Sequence, residues 1–493
     1  GADFALEIKG KFRMASRIVL NPIPLRDLQR FHHSVINNFN ETETLVDAIS
    51  ARPGFYGPNP VAVLSLKARR PNLHLEDLNE ALINDRTLLR VGAFRGALFL
   101  VSTSDYPLYF RALHTVLRRT ATERLEKEGI SDNHLARYAH RLKEADFPMP
   151  LAHEQLMDIM YPGLEKRPGL NTERLILRKL CDKGVLVRTT FKGWKSNNFF
   201  YALFNRWLPD INLTMDNPEP ARTELVRRYL RSYGPASPDD ISWWTGLPPL
   251  HVQRVITQLG REVLKYPIEG LPTELIGLRE RVDTLRNPPE NSRPIQFLPL
   301  WDAYTLGWRD HRRLVDEALL PWIYDANGNA VSVIVDEGRI IGLWQFRDSD
   351  RLTFEYHVFE HERARLPEVL KRLEEHAAVL AELSSARTTQ IIERELPPPL
   401  SERGPGAFIW PLGKEPLYRS GSSQREEDDR SPMERRHTNT YVRKYLDGKY
   451  VVTSSAEGNA VQEDADSEPE PPPAPKKGGK KKSRKGNSQA QSA

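Results

Sequence analysis

The residues best suited to chemistry in this 493-residue sequence are cations and amides, not nucleophiles or metal ligands. Lys192, Trp194 and Lys195 fall in a turn between two β-like runs, and Arg174, Arg178 and Lys179 lie on the helical stretch just before it. Lysines beside an indole at a hairpin tip suit a nucleic-acid backbone, because cations displace counterions from phosphates and an aromatic face stacks on bases. Each of these cations can equally pair with a nearby acid. His251, Gln253 and Arg254, with Thr257 and Gln258, are the polar positions of a short helix that follows a Gly-containing turn. In such a pair of helices the second enters the major groove and reads base edges, although any solvent-facing helix carries a similar face. No phosphate-cradling glycine loop, metal-ligand constellation or Ser-His-Asp grouping is legible. The thirteen histidines are scattered, and the one adjacent pair, His32-His33, reads as covering a helix face.

The elements that must hold these residues follow one local plan three times: two helices and then a two-stranded hairpin, the layout of a winged helix. In the middle copy His153 to Tyr161 and Asn171 to Lys183 are helical, with Val185 to Thr190 and Phe199 to Phe204 as the hairpin. In the third, Arg222 to Ser232 is amphipathic and Gly234-Pro235 breaks it. Ser237-Pro238-Asp239-Asp240 then supplies an N-cap, a proline for the first helical position and acids for the first turn. After Leu247-Pro248 the chain resumes as His251 to Leu259, expected to bury Leu250, Val255, Ile256 and Leu259. The first copy has helices at Leu25 to Asn38 and Glu76 to Ile83, and strands Thr87 to Phe94 and Ala97 to Ser102 meeting at Arg95-Gly96. Its loop at 51–60 is dense in proline and glycine and is expected to hold no regular element. Between 273 and 361 the β-like runs Ile295 to Leu298, Val331 to Val335, Arg339 to Trp344 and Leu352 to Phe359 predict a small barrel or curled sheet. One long helix, Arg363 to Leu383, should cross it.

The length leaves room for three or four packing units. Hydrophobic residues at 39% and charged residues at 28% are enough for cores, and no 18-residue apolar run predicts a membrane span. A single cysteine, Cys181, excludes a disulfide framework and a cysteine-based zinc site and fits a reducing cytoplasm. Residues 1–13 read as an extension ahead of a start at Met14. The formal charge of +5 misleads: without the lysines and arginine of residues 476–493 it becomes −2, and without the acids of 457–470 as well, residues 1–456 carry +4. A body this close to neutral binds DNA only through a local patch.

In order, these segments resemble the winged-helix DNA glycosylases of the AlkZ/YcaQ type, associated with unhooking DNA interstrand crosslinks and excising alkylated bases. The resemblance covers roughly Leu25 to Leu383. Its most specific pieces run from Tyr229 through Asp240 to Trp243-Trp244-Thr245-Gly246-Leu247-Pro248, and from Leu298 to Asp310. It implies three tandem winged helices and a small β domain around a basic, concave DNA channel.

The catalytic signatures of that family are not matched. Where it carries Gln-x-Gln or Gln-x-Asp, counting back from Leu64 to Arg69 puts Phe55-Tyr56-Gly57. Where it carries Arg-Gly-Thr-x-His at the first wing, this chain has Arg95-Gly96-Ala97-Leu98-Phe99, keeping only the arginine and glycine. Breaking an N-glycosidic bond builds positive charge on the sugar while a water is held against it, and losing one preorganised polar partner costs about 10² to 10³ in rate. Asp302 or Asp310 beside Arg309 could hold such a water, or lock a turn as a structural ion pair. Glu41, Glu43 and Asp47 are weaker acids of the same kind. Phe55 and Tyr56 could stack on an unpaired base or anchor the loop to the core.

The expectation is therefore an α+β chain: an extension at 1–23, winged-helix domains at 24–150, 151–215 and 216–272, a β-barrel-like domain with a C-terminal helix at 273–412, and a disordered acidic then Lys-rich tail at 413–493. It should be a cytoplasmic, nucleoid-associated monomer that binds double-stranded DNA, damaged or crosslinked, with no membrane, metal or cofactor. Catalysis is expected to be degenerate. The alternatives are an active N-glycosylase with a substituted water-positioning residue such as Asp302, and a transcription regulator reading an operator through His251, Gln253 and Arg254.

Overall fold

The computed structural model describes residues 20–403 except 41, 120, 192 and 387, together with residues 409–410 and strands at 442–446 and 449–453. Glu41, Lys192 and most of the tail therefore lie outside the described residues. The secondary structure is mixed α+β. Helix α1 (Leu25–His32) passes into a π-helical turn at His33–Asn37. His32 and His33 do not cover a helix surface as expected. Both are buried, with His32 Nε2 3.0 Å from the Gly234 carbonyl and His33 Nε2 2.9 Å from the Arg293 carbonyl. Burial lowers their pKa values to about 3 and about 4, so they act as neutral ties to two distant segments.

After α2 (Leu45–Ser50), the stretch expected to be irregular contains β1 (Phe55–Tyr56). The breakers do not prevent pairing because they flank it: Phe55 lies opposite Leu100 and Tyr56 opposite Phe99, at the edge of a sheet where proline is tolerated. Helix α3 (Val61–Arg69), buried along its whole length, and α4 (Leu75–Asn79) lead to the hairpin β2 (Leu88–Gly92) and β3 (Leu98–Ser102). Helices α5 (Tyr106–Arg119), α6 (Thr122–Lys127), α7 (Asp132–Ala145), α8 (His153–Met160) and α9 (Leu170–Asp182) precede a second hairpin, β4 (Leu186–Phe191) and β5 (Phe199–Leu203). The two hairpins form one sheet, ordered β1-β3-β2-β4-β5, joined where Arg90 faces Arg188.

A third helical group, α10 (Glu219–Tyr233), α11 (Pro238–Thr245) and α12 (Pro249–Leu259), ends in the hairpin β6 (Val263–Tyr266) and β7 (Leu275–Leu278). The start of α11 is the capping box its sequence predicts: Ser237 Oγ accepts the Asp240 N–H at 3.0 Å, and the Asp240 carboxylate accepts the Ser237 N–H at 3.0 Å. In α12 the inward stripe is Val252, Val255 and Leu259. That phase leaves Leu250, expected in the core, 62% exposed.

The remaining sheet is ordered β8 (Ile295–Leu298), β9 (Val333–Asp336), β10 (Arg339–Asp348), β11 (Leu352–Val358) and β12 (Thr389–Glu393), antiparallel except for the parallel β11–β12 pair. With β8 and β12 as edges it is, among the described residues, an open sheet and not a closed barrel, where a small barrel or a curled sheet is expected. Helix α13 (Leu366–Ala381) packs on it, starting later than expected because Glu360–Arg365 forms a 3₁₀ turn and Pro367 is tolerated only in a first helical turn. Beyond it, β13 (Val442–Leu446) and β14 (Lys449–Thr453) form an antiparallel hairpin.

One apolar core runs without interruption through β2–β3, α5, α10, α11, α12 and β9–β10. Aromatic contacts thread it: Phe94 stacks on Trp244 at 4.0 Å, Trp244 meets Tyr229 at 5.1 Å, and Tyr233 meets Trp308 edge-on at 5.5 Å. Each such pair adds about 0.5–1.5 kcal/mol beyond area burial. Tyr229 Oη donates to the Gly307 carbonyl and Trp308 Nε1 to the Tyr233 carbonyl, both at 2.8 Å. The units are thus fused through their interiors.

Candidate functional site

The turn between β2 and β3 sets Arg95 in the left-handed region (φ +54°), closed by Ala93 N–H to the Ala97 carbonyl at 2.9 Å. Its guanidinium lies 3.9 Å over the ring of Trp243 on α11. The fit depends on Gly246, the left-handed residue (φ +78°) that ends α11: a Cβ there would sit 3.1 Å from both Arg95 Cα and the Val116 side chain. Trp243 meets His311 edge-on at 6.2 Å, and His311 stacks on Tyr324 at 3.6 Å. Burial lowers the His311 pKa to about 4, against the opposing pull of Asp240 and Asp310, so the ring is neutral at pH 7. Its Nε2 is buried without a hydrogen-bond partner. Burial also lowers Arg95 to about 10, partly offset by Asp325, and leaves it charged. The β2–β3 turn, α11 and the loops that carry His311 and Tyr324 thus display a cation on an indole beside a neutral imidazole. That set can bind a phosphate or a ring.

The position assigned to the family's amides is of a different nature. Phe55 is fully buried, edge-on to Phe39 at 5.7 Å and under the Arg69 guanidinium at 4.9 Å. Tyr56 is 1% exposed, between Phe99 and Trp301, and its hydroxyl is buried without a partner. Gly57 lies against the Phe99 backbone, which a Cβ would meet at 2.9 Å. Of the two fates open to the aromatics, anchoring to the core is the one observed.

The acids are engaged with other side chains of the fold. Asp302 is fully buried and bidentate to Arg69 at 2.7 and 2.8 Å, with Ser65 Oγ donating to it at 2.6 Å. Its carboxylate also accepts the Tyr304 N–H at 2.8 Å, and Arg309, expected beside it, is elsewhere, exposed and 3.6 Å from Asp239. Asp310 pairs with Arg312. Asp47 accepts from Thr44 Oγ1 at 2.6 Å at the start of α2, and Glu43 lies 3.9 Å from Arg52.

Most of the expected DNA-binding cations are also built into the fold. Arg178 is buried and donates to the Gly96 carbonyl behind the first wing. Lys179 is buried against the end of α5, donating to the Leu117 and Arg118 carbonyls and to Thr122 Oγ1, and burial lowers its pKa to about 8. Arg174 is half-buried, with Nη1 enclosed. The described part of the β4–β5 connection is tied to other segments: Trp194 Nε1 donates to the Leu383 carbonyl at 3.1 Å, Lys195 pairs with Asp348, and Asn197 bonds both backbone polar groups of Asn59. The α12 face differs. Gln253 and Arg254 are exposed, while His251 is half-buried and 3.1 Å from an Arg222 nitrogen.

Sequence reasoning found Arg95 but not its partners Trp243, His311 and Tyr324. Only the left-handed Gly246 turn, visible as Thr245-Gly246-Leu247, hinted that another segment approaches there.

A family model described as DNA glycosylase AlkZ-like matches residues 56–382. Among curated proteins, the interstrand DNA cross-link repair glycosylase of Streptomyces sahachiroi is 23% identical over 342 residues, covering 66% of this chain and 86% of that protein. Among solved structures, the Streptomyces sahachiroi DNA glycosylase AlkZ superposes with a TM-score of 0.61 at 17% identity, covering 76% of this chain and 100% of that one, a likeness of fold.

Proposed function

The chain belongs to the AlkZ-like DNA glycosylase family, and from that premise we propose that it is a DNA-binding member that has kept the scaffold and lost base excision. The observation that carries this reading is the burial of Phe55 and Tyr56 where the family resemblance places amides. Excision needs polar groups preorganised around the anomeric carbon and an attacking water. Two buried rings and a glycine packed on backbone supply neither, and Asp302, already neutralised by Arg69, is no substitute. The three helix-and-hairpin groups act as three winged-helix units, within the boundaries drawn from the sequence. The protein works as a monomer in the cytoplasm, at the nucleoid, on duplexes that are damaged or crosslinked. Arg95 on Trp243 and the α12 face, with Gln253 and Arg254, are its points of DNA contact.

The test is an abasic-site assay with purified protein on duplexes carrying N7-alkylguanine or an interstrand crosslink. Alkali should reveal no strand breaks above the protein-free control, while the same duplexes are bound. Breaks that scale with protein concentration would overturn the loss of excision.

A further inference from the structure

We infer that the cavity between the end of α3, the edge strand β8 and α13 is a binding site for a small neutral molecule with an N–H donor, a carboxamide in chemical class. It borders the β8–β12 sheet and is independent of the DNA-binding reading above. Its floor is buried: Ala68 on the last turn of α3, Gln296 and Phe297 on β8, and His376 on α13. At its rim Arg372 is half-buried and Glu375 exposed, the two paired at 2.9 Å, so the cavity reaches solvent. Its volume is about 50 Å³. Since one water needs roughly 10–15 Å³, the space takes about four water-sized groups.

Two polar side-chain atoms of that floor are buried and, among the described residues, without a hydrogen-bond partner: Gln296 Oε1 and His376 Nε2. Buried polar groups are nearly always paired, and an orphan carries its full desolvation cost. The Gln296 oxygen cannot be satisfied by turning the amide over. Gln296 Nε2 donates to the Asn37 carbonyl at 2.9 Å, and the flipped amide would set oxygen against oxygen. The His376 ring is held by stacking on Phe297 at 5.3 Å and by an edge contact with Trp344 at 5.1 Å. Burial, with the Arg293 charge beside it, lowers the His376 pKa to about 3, so the imidazole is neutral and suits a neutral ligand. Successive strand residues face opposite sides: Gln296 turns toward Asn37 and Phe297 toward His376, so the ligand bridges the free edge of β8. A carboxamide answers both orphans, its N–H donating to Gln296 Oε1 and its carbonyl accepting from an imidazole N–H. Phe297 and Val379 supply apolar walls for the rest of it.

The experiment titrates acetamide against the full chain and reads binding by saturation-transfer difference NMR, with acetone, of the same shape but lacking N–H, as the control. Acetamide should bind saturably with Kd on the order of 1 mM, as its size allows. Acetone should bind about tenfold more weakly, because it leaves Gln296 Oε1 unpaired. His376→Phe keeps an aromatic ring and removes its nitrogens, and Val379→Trp fills the cavity from a half-buried position; each should weaken acetamide about tenfold. The comparison of the two probes on wild type needs no variant and stands even where a variant fails to fold. No saturable acetamide binding up to about 0.1 M, as when ordered waters alone fill the cavity, would overturn the inference. So would equal affinity for acetone, or wild-type affinity in both variants.

Discussion

Placing glutamine at Phe55 tests whether the family's catalytic position is core in this protein. The Phe55 ring is fully buried and packed between Phe39 and the Arg69 guanidinium, within strand pairing to Leu100. Truncating a buried phenylalanine costs about 3–5 kcal/mol. The methylenes of glutamine recover part of that, but its amide then needs partners that an apolar pocket lacks, at about 1–3 kcal/mol. The net expectation for Phe55→Gln is a loss of about 3–5 kcal/mol, a large share of the ~5–15 kcal/mol that holds a typical domain. Gly57→Gln fails for a different reason. Its Cβ would meet the Phe99 carbonyl carbon at 2.9 Å and the Phe99 nitrogen at 3.1 Å, so relief requires moving β3. Overpacking of this kind costs about 1–3 kcal/mol. Urea unfolding followed by tryptophan fluorescence should show a lower midpoint at an unchanged m-value for each variant, with no abasic sites formed on alkylated DNA. A wild-type midpoint for both variants, or excision gained by the double substitution, would mean that these side chains face an open hollow, and the reasoning would fail.

Asp302→Asn should cost about 3–5 kcal/mol, because it leaves the Arg69 guanidinium buried without its counter-charge; the unfolding midpoint reports it, and a midpoint equal to wild type would contradict the structural role. Acid should destabilise the fold between pH 6.5 and 4. Burial lowers His32 and His376 to about 3 and His33 and His311 to about 4, so in that window the unfolded chain binds protons that the folded chain refuses and stability rises with pH. At pH 5 each imidazole contributes about 2 kcal/mol of loss relative to pH 7; urea midpoints that stay level from pH 7 to pH 5 would refute it. Arg95→Ala should weaken duplex binding several-fold and lower the salt slope by roughly 0.9, measurable by anisotropy, whereas Lys179→Met should leave that slope unchanged because Lys179 is buried at the end of α5. Trp194→Ala should release the second wing from α13 and the segment after it, which limited proteolysis would detect as new cleavage within 191–198.

The helix-and-hairpin repeats were legible because their signals are local. Ser237 and Pro238 start α11, Gly246 ends it, and the apolar runs expected as strands at Ala97 to Ser102 and Phe199 to Phe204 form strands at Leu98–Ser102 and Phe199–Leu203. What stayed hidden depends on contacts far apart in sequence. The β1 strand exists because Phe55 and Tyr56 find β3 some forty residues later, and no density of proline and glycine around it announces that partner. The strand β12 joins β11 in parallel across the whole of α13. Leu250 was misplaced by a matter of helical phase, since Val252 rather than its neighbour two residues earlier faces α10 and α11.

What the sequence left open about the candidate site concerns charge more than position. A cation in a sequence is equally a phosphate ligand or a strut, and this fold uses many of its arginines and lysines as struts: Arg69 under Asp302, Arg313 on Asp240, Lys179 on the end of α5, Lys195 on Asp348. The segments that most resembled a DNA-contacting wing were therefore the ones consumed in holding the wing to its neighbours. In a body of near-neutral net charge, a nucleic acid is attracted by guanidiniums that no carboxylate has claimed, and Arg254, exposed on α12, forms no ion pair among the described residues. Adding a counter-charge there, as in Gln253→Glu beside Arg254, should suppress duplex binding more than the same glutamate placed beside the paired Lys195, and equal effects at the two places would remove the distinction between claimed and unclaimed cations.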